Sequence, residues 1–253
     1  MQTSLCPAEV ICSPTVSIYS GSNSKPVSHP LSPYNIYTPP ASPRQGITLR
    51  TPPKTDLWRK PPSLNVSTAP TLYTKVPLSK FKSAKVTASS NWNTLYDQGG
   101  LALFLGPPPG EDGSTKGQWV KSGIEYVFEK PNVGTVAADI WADWSLAPVP
   151  NVGDDYAKGD EVSVTIEVER EMVDGNKEAS LWVYKVNPKS GKRQGVREVT
   201  WVFKEDTGAE EGKGSTELWV GIYTARPTVP EGVGRENEEL EVDFKDFEIR
   251  LFD

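Results

Sequence analysis

From residue 162 to residue 169 the chain alternates without a break: Val162, Val164, Ile166 and Val168 interleave with Ser163, Thr165, Glu167 and Glu169. A period of two puts one set on each face of a strand, one dry and one wet. The pattern recurs in Leu218, Val220 and Ile222, which alternate with Trp219, Gly221 and Tyr223. The runs Leu181–Val186 and Val199–Phe203 are β-branched and aromatic throughout, the composition of a half-buried pleated surface. Turn signals at Asp174-Gly175-Asn176, at Pro188-Lys189-Ser190-Gly191 and from Gly208 to Gly214 separate the runs. The spacing predicts about ten strands and no amphipathic helix. An α/β fold needs helical crossovers and finds no room for them, so the chain reads as an all-β sandwich or barrel. The last strand, Leu240 to Phe252, shifts its alternation near Asp246, as a β-bulge requires.

The first 55 residues differ in kind. They are rich in Ser, Thr and Pro and poor in large apolar groups, too poor to offset the conformational entropy of ordering. The expectation is a disordered arm over 1–55 and one β-sandwich over 56–253. Ser13-Pro14, Ser32-Pro33, Thr38-Pro39, Ser42-Pro43 and Thr51-Pro52 have the form that proline-directed kinases accept, and each phosphate would add about −1.5 to −2 charges. Leu57 and Trp58, set between Pro52-Pro53 and Pro61-Pro62, read as an extended strap whose tryptophan docks on the sandwich.

Composition excludes several functions. The net charge is −6 with both signs interspersed, so the chain lacks the cationic footprint that phosphate backbones demand and is expected to bind no nucleic acid. No stretch reaches membrane-spanning length. Cys6 and Cys12 both lie in the arm, and Pro7, Glu9 and Pro14 interrupt any secretory apolar run, which makes the cytoplasm the expected location. His29 is the single histidine, which removes histidine triads and histidine-containing zinc sites. No metal or cofactor is expected.

The segment Trp119 to Glu129 carries the most chemistry. Val120, Ile124, Tyr126 and Phe128 suit a core, while Trp119, Lys121, Gly123, Glu125, Val127 and Glu129 share the opposite face. An aromatic, a cation, a gap and carboxylates on one face suit a ligand groove. Tyr96-Asp97-Gln98-Gly99-Gly100 adds hydrogen-bonding side chains before paired glycines that admit a close neighbour. In Trp141-Ala142-Asp143-Trp144-Ser145 an acid lies between two indoles. Indoles stack on the apolar faces of sugars and carboxylates or amides satisfy their hydroxyls, so the candidate ligand-binding set is Tyr96, Asp97, Gln98, Trp119, Lys121, Glu125, Asp143, Trp144 and Ser145, converging on a concave sheet face.

These motifs, in order with Val220-Gly221-Ile222-Tyr223, Pro227 and Phe244-Lys245-Asp246-Phe247, resemble the regulation-of-enolase proteins, a domain-of-unknown-function group in the concanavalin A-like lectin/glucanase superfamily. The stretch Arg50 to Pro62 resembles a fungal version of that group. The resemblance covers about residues 50–253 and implies a jelly-roll sandwich of two antiparallel sheets. It implies little about activity, because function is carried by sites and not by folds. The loop Gly106 to Gly117, with three consecutive prolines, and Ala142, where a serine is usual, depart from the pattern.

Glucanases of that superfamily use a Glu-x-Asp-x-Glu strand. Glu125-Tyr126-Val127-Phe128-Glu129 puts two glutamates about 13 Å apart at strand rise, with Val127 in place of the aspartate. Retaining chemistry needs carboxyls about 5–5.5 Å apart and pKa values driven in opposite directions, so no complete catalytic motif is present. The reading is a lectin-like module for a carbohydrate or a similar small molecule. The alternatives are regulatory contact with a metabolic enzyme, or a glycosidase, lyase or isomerase using the same groove through Lys121, Tyr96 and Glu125.

Overall fold

The computed structural model describes the backbone of residues 15–20, 27–30 and 32–34, and backbone and side chains of 46–109, 117–149, 152–153, 156–206 and 217–253. Three strands come from the arm: β1 (Thr15–Ser20), β2 (Val27–Pro30) and β3 (Ser32–Tyr34). Three follow before residue 70: β4 (Ile47–Thr51), β5 (Leu57–Lys60) and β6 (Leu64–Ser67). Then come β7 (Thr71–Pro77), β8 (Phe81–Asn91), β9 (Gln98–Leu105), β10 (Gln118–Val127), β11 (Lys130–Ala138) and β12 (Ala142–Pro148). The series closes with β13 (Glu161–Val173), β14 (Asn176–Val186), β15 (Arg193–Val199), β16 (Glu217–Ala225) and β17 (Leu240–Leu251).

The strands build a jelly-roll sandwich, antiparallel except where β1 runs parallel to β17. One sheet has the order β15-β14-β13-β8-β17-β1-β2, with β4 also on β17; the other has β12-β11-β10-β9-β16-β7-β3. Between them lies the main core, including Phe81, Val86, Trp92, Leu103, Val120, Ile124, Ile166, Val183, Val220 and Phe244. These are the apolar halves of the alternating runs. The β5–β6 hairpin stands apart and lies on the outer face of the second sheet, sealing a smaller core with Tyr73, Phe104, Trp119, Trp219 and Tyr223. Both faces of β10 are therefore dry: every residue from Trp119 to Val127 is buried. The expected bulge in β17 is present, with Asp246 at φ +54° and a register shift between Lys245 and Glu248.

Several expectations change. β4 precedes Asp56, where the strap was expected to start, yet it pairs with Leu240–Phe244 and buries Leu49 and Thr51. β17 runs past the end of β4, and its free N–H and C=O groups pair with Ser17–Ser20 of β1. Thr51 is fully buried and its hydroxyl shares a 2.7 Å hydrogen bond with that of Thr55, so it is no kinase site in the folded chain. Ser13, Thr38, Ser42, Cys6, Cys12, the Gly208–Gly214 turn and most of the Gly106–Gly117 loop lie outside the described residues. β10 ends at Val127; Phe128 and Glu129 form the turn into β11, both with positive φ, as a two-residue primed hairpin requires. Phe128 is consequently 74% exposed and not core. The strand count also exceeds the expected ten, since β1 to β6 add six short strands before residue 70.

Candidate functional site

Alternation along β10 puts Trp119, Lys121, Gly123 and Glu125 on the outer face of the second sheet, under the β5–β6 hairpin. Gly100, Gly123 and Gly134 lie in register across β9, β10 and β11. A Cβ at Gly134 would come within 2.5 Å of Glu125 Oε2, so glycine there is what makes room for the carboxylate. The row leaves a side-chain-free strip between Lys121 and the Gln98–Glu125 pair, and the long Lys121 stem leans across it.

The buried polar groups form one network. Lys121 Nζ donates to Gln98 Oε1 at 2.6 Å and to Asp56 Oδ1 at 3.3 Å. Gln98 Oε1 also accepts from the Tyr223 hydroxyl at 3.3 Å, and its Nε2 donates to the Tyr96 carbonyl at 3.2 Å and to Asp56 Oδ1 at 3.5 Å. Lys121 is 2% exposed; an ammonium so deep needs these acceptors. Burial pushes the Tyr223 hydroxyl well above its usual range, with Glu125 and Asp56 adding to the effect, so it remains a neutral donor.

Glu125 is 8% exposed, and its Oε2 accepts from Trp144 Nε1 at 2.8 Å. Burial raises its pKa above the ordinary value, opposed by the charge of Lys121 and the Trp144 hydrogen bond. Above it stand three half-buried rings. Trp58 and Tyr96 each meet Trp144 edge-to-face, with centroids 6.4 Å apart and interplanar angles of 85° and 75°. Aromatic walls over a desolvated carboxylate can stack on a ligand ring and accept a hydrogen bond from its hydroxyl or amine.

Of the nine residues expected from the sequence, the structure brings together Tyr96, Gln98, Trp119, Lys121, Glu125 and Trp144. Asp97 does not join them. It is fully buried on the far side, clamped by Arg226 Nε at 2.8 Å and Nη2 at 2.9 Å, with Thr94 N–H at 2.9 Å. Asp143 points outward with 77% of its side chain exposed and pairs with Arg197 at 2.6 Å across the open edge of the sandwich. Ser145 donates to the Thr135 carbonyl at 3.4 Å. Both follow from the pleat, which sends 143 and 145 to the face opposite Trp144.

Asp56, Trp58 and Tyr223 join the site without having been singled out for it. Tyr223 was visible in the alternation as the outward partner of Trp219. In the hairpin the docking side chains are Leu57, which is buried, and Arg59, whose guanidinium donates to the carbonyls of Asp139 at 3.0 Å and Gly117 at 2.8 Å. Trp58 packs half-buried against the smaller core and meets Trp144 of β12, so the tryptophan of the strap docks on the sandwich. The Glu125–Glu129 pair fails as a catalytic dyad because Glu129 sits in the turn and is exposed. Among the described residues no group of His, Cys, Asp and Glu has a metal-holding arrangement, and no helix is long and apolar enough to cross a membrane.

Residues 37–251 match the family described as protein of unknown function, DUF1349. An uncharacterized protein of Emericella nidulans is 41% identical over 207 residues, which is 82% of this chain and 87% of the relative. A functionally unknown protein from Saccharomyces cerevisiae superposes with a TM-score of 0.61 at 20% identity, over 87% of this chain and 95% of that one. A GH43 protein, BlXynB, from Bacillus licheniformis superposes with a TM-score of 0.50 at 16% identity, over 81% of this chain and 32% of that one. At these identities the two structures establish a shared fold.

Proposed function

We propose that this chain, which belongs to the DUF1349 family of proteins of unknown function, is a lectin-like binding module whose ligand is a carbohydrate or a similar polyhydroxylated small molecule. The observation that carries the reading is the set of three half-buried rings, Trp58, Tyr96 and Trp144, over the Glu125 carboxylate and the buried Lys121–Gln98–Asp56 network. A purely structural sheet face gains nothing from burying so many polar groups, since an apolar face of the same shape packs at lower cost. Lys121, Gln98 and Asp56 hold one another, so they position the site, while Glu125 and the rings are left to meet the ligand. Binding, not hydrolysis, is favoured because the second carboxylate near Glu125, that of Asp56, is engaged by Lys121 Nζ and Gln98 Nε2. The proposed setting is the cytoplasm, supported by a sandwich whose residues include no cysteine.

The test is a glycan array followed by calorimetric titration of the best saccharide. Trp144→Ala is expected to weaken binding about tenfold or more by removing a stacking face, while Trp141→Ala, outside the cluster, leaves it unchanged. Wild-type protein that binds no saccharide, or Trp144→Ala that binds as well as wild type, overturns the proposal.

A second reading is regulatory contact with a metabolic enzyme. It draws support from Ile140 and Trp141, adjacent apolar side chains 70% and 40% exposed in the turn between β11 and β12. Capture of an enzyme that Trp141→Ala abolishes and Trp144→Ala spares would favour it.

A further inference from the structure

The outer face of the second sheet shows how this protein holds a positive charge away from water. Lys121 Nζ lies 5.9 Å from the centroid of Trp119 and 5.8 Å from that of Tyr223, with Asp56 as its counter-charge. Rings and a carboxylate together suit an ammonium, because the π-system presents its negative face to a cation. Farther along the same face both ingredients recur without a cation of their own. Trp58, Tyr96 and Trp144 stand over Glu125. Lys121 does not serve as its partner: Nζ is held by Gln98 and Asp56, and among the ion pairs of the described residues none includes Glu125.

Glu125 is short of donors as well as of charge. Its Oε2 accepts the Trp144 N–H at 2.8 Å, and among the described residues Oε1 accepts nothing. Asn132, opposite Glu125 on β11, gives its amide N–H groups to the carbonyls of Val127 at 3.0 Å and Lys130 at 2.9 Å. Oε1 is not sealed from solvent either, so the 8% of Glu125 that stays exposed includes this oxygen. A carboxylate this deep with one oxygen open calls for a donor, and a charged donor serves it best. The charged groups that act on Glu125 are Lys121 and Asp56. Two ionised carboxylates against one ammonium leave a negative charge over, which a single ligand cation would meet.

The rings are placed for that task. The planes of Trp58 and Tyr96 are nearly perpendicular to that of Trp144, the arrangement of a cage and not of a stack. Tyr96 is fixed through its backbone: φ is +64°, its N–H donates to the Tyr126 carbonyl at 2.7 Å, and its carbonyl accepts from Gln98 Nε2 at 3.2 Å. A bulky residue keeps the left-handed conformation only where its surroundings over-determine it, and such positions cluster at ligand clamps.

We propose that the ligand carries a protonated amine, which donates to Glu125 Oε1 and lies against the rings of Trp58, Tyr96 and Trp144. Resting on the carbohydrate reading, this makes the ligand an amino sugar and not a neutral one.

The experiment is calorimetric titration of the full chain with glucosamine, glucose, N-acetylglucosamine and cyclohexylamine, at one ionic strength and at a pH that keeps both amines protonated. Glucosamine is expected to bind about tenfold or more tighter than glucose or N-acetylglucosamine, the scale of a charge-assisted hydrogen bond joined to a ring contact. Glu125→Gln keeps the side-chain shape and an acceptor but loses the charge, and should erase that preference. Should that variant not fold, the wild-type preference decides alone. Glucose that binds as tightly as glucosamine overturns the inference and leaves the carbohydrate reading standing. Cyclohexylamine that binds as tightly as glucosamine supports the ammonium while removing the carbohydrate reading. No binding of either amine, or a preference that survives in Glu125→Gln, overturns the proposal.

Discussion

Strands β10 and β13 both send alternate side chains to two faces, and in both the inward set is apolar but for one polar residue, Ser122 in β10 and Arg170 in β13. They differ in what covers the outward set. Over β10 the Leu57–Ser67 hairpin excludes water, and Lys121 and Glu125 are satisfied by Gln98, Asp56 and Trp144. Along β13 the outward Glu167 is buried beside Arg193, but Glu169 and Glu171 stay half-exposed, with Arg193 and Trp182 Nε1 as partners at the surface. The same alternation therefore yields two kinds of charge. Those on the covered face cannot be screened and must have specific partners. Those on the open face exchange partners with water and contribute little. A binding site with fixed geometry belongs on the covered face, where each polar group is held by several others.

The largest expected effect tests the cost of burial itself. Among the described residues Asp97 and Arg226 form the most enclosed ion pair, 0% and 2% exposed at the side chain. Asp97→Ala strands the guanidinium together with the Asn93 and Thr94 N–H groups. It should destabilise the fold by about 3–5 kcal/mol, read by urea unfolding. A loss under about 1 kcal/mol would mean that water reaches the pair, and the contrast between covered and open charges would collapse.

How much of this the sequence shows depends on whether a residue is defined by its own strand or by a distant segment. Val162 to Val168 and Leu218 to Ile222 announce their faces locally, and the sandwich follows from them. Lys121 and Glu125 share a face by spacing alone. The same rule separates Gln98 from Asp97 and Trp144 from Asp143 and Ser145; the composition of those tripeptides suggested single clusters where the pleat divides them. What is not legible is the partner. Asp56 lies 65 residues from Lys121 and Arg226 lies 129 from Asp97, and no local period encodes such a choice. The Pro-rich flanks of Leu57 gave a strap but not a hairpin, because the pairing of β5 with β6 rests on four residues each.

A smaller effect sharpens the comparison by way of pH. Burial raises the pKa of Glu125 in the folded protein above its unfolded value. Between those two values the folded state holds more protons than the unfolded one, so the contribution of this group to stability falls as pH rises through the window and is constant above it. Glu125→Gln keeps an acceptor for Trp144 Nε1 but cannot ionise. The variant should gain stability relative to wild type as pH rises from the unfolded carboxylate range toward neutrality, with the two converging in acid. A difference that is flat with pH, or that widens toward acid, would mean that Lys121 and Trp144 outweigh the burial of the carboxylate.

The smallest effect is expected on the open face, at Lys85 and Glu248. They stand directly opposite each other on β8 and β17, 2.9 Å apart, and Glu248 also accepts from Arg250 at 2.8 Å. By distance alone this pair rivals the one at Asp97. Its side chains are 27% and 18% exposed, however, so water competes for both groups and salt screens them. A double-mutant cycle through Lys85→Ala and Glu248→Ala should give a coupling below about 1 kcal/mol. Repeated in molar salt, the coupling should shrink further, whereas the penalty of Asp97→Ala should hardly move. Coupling of about 3 kcal/mol that ignores salt would show the outer face of this sheet to be as dry as the one beneath the hairpin. The division of the sandwich into a specific face and a solvated one would then have to be abandoned.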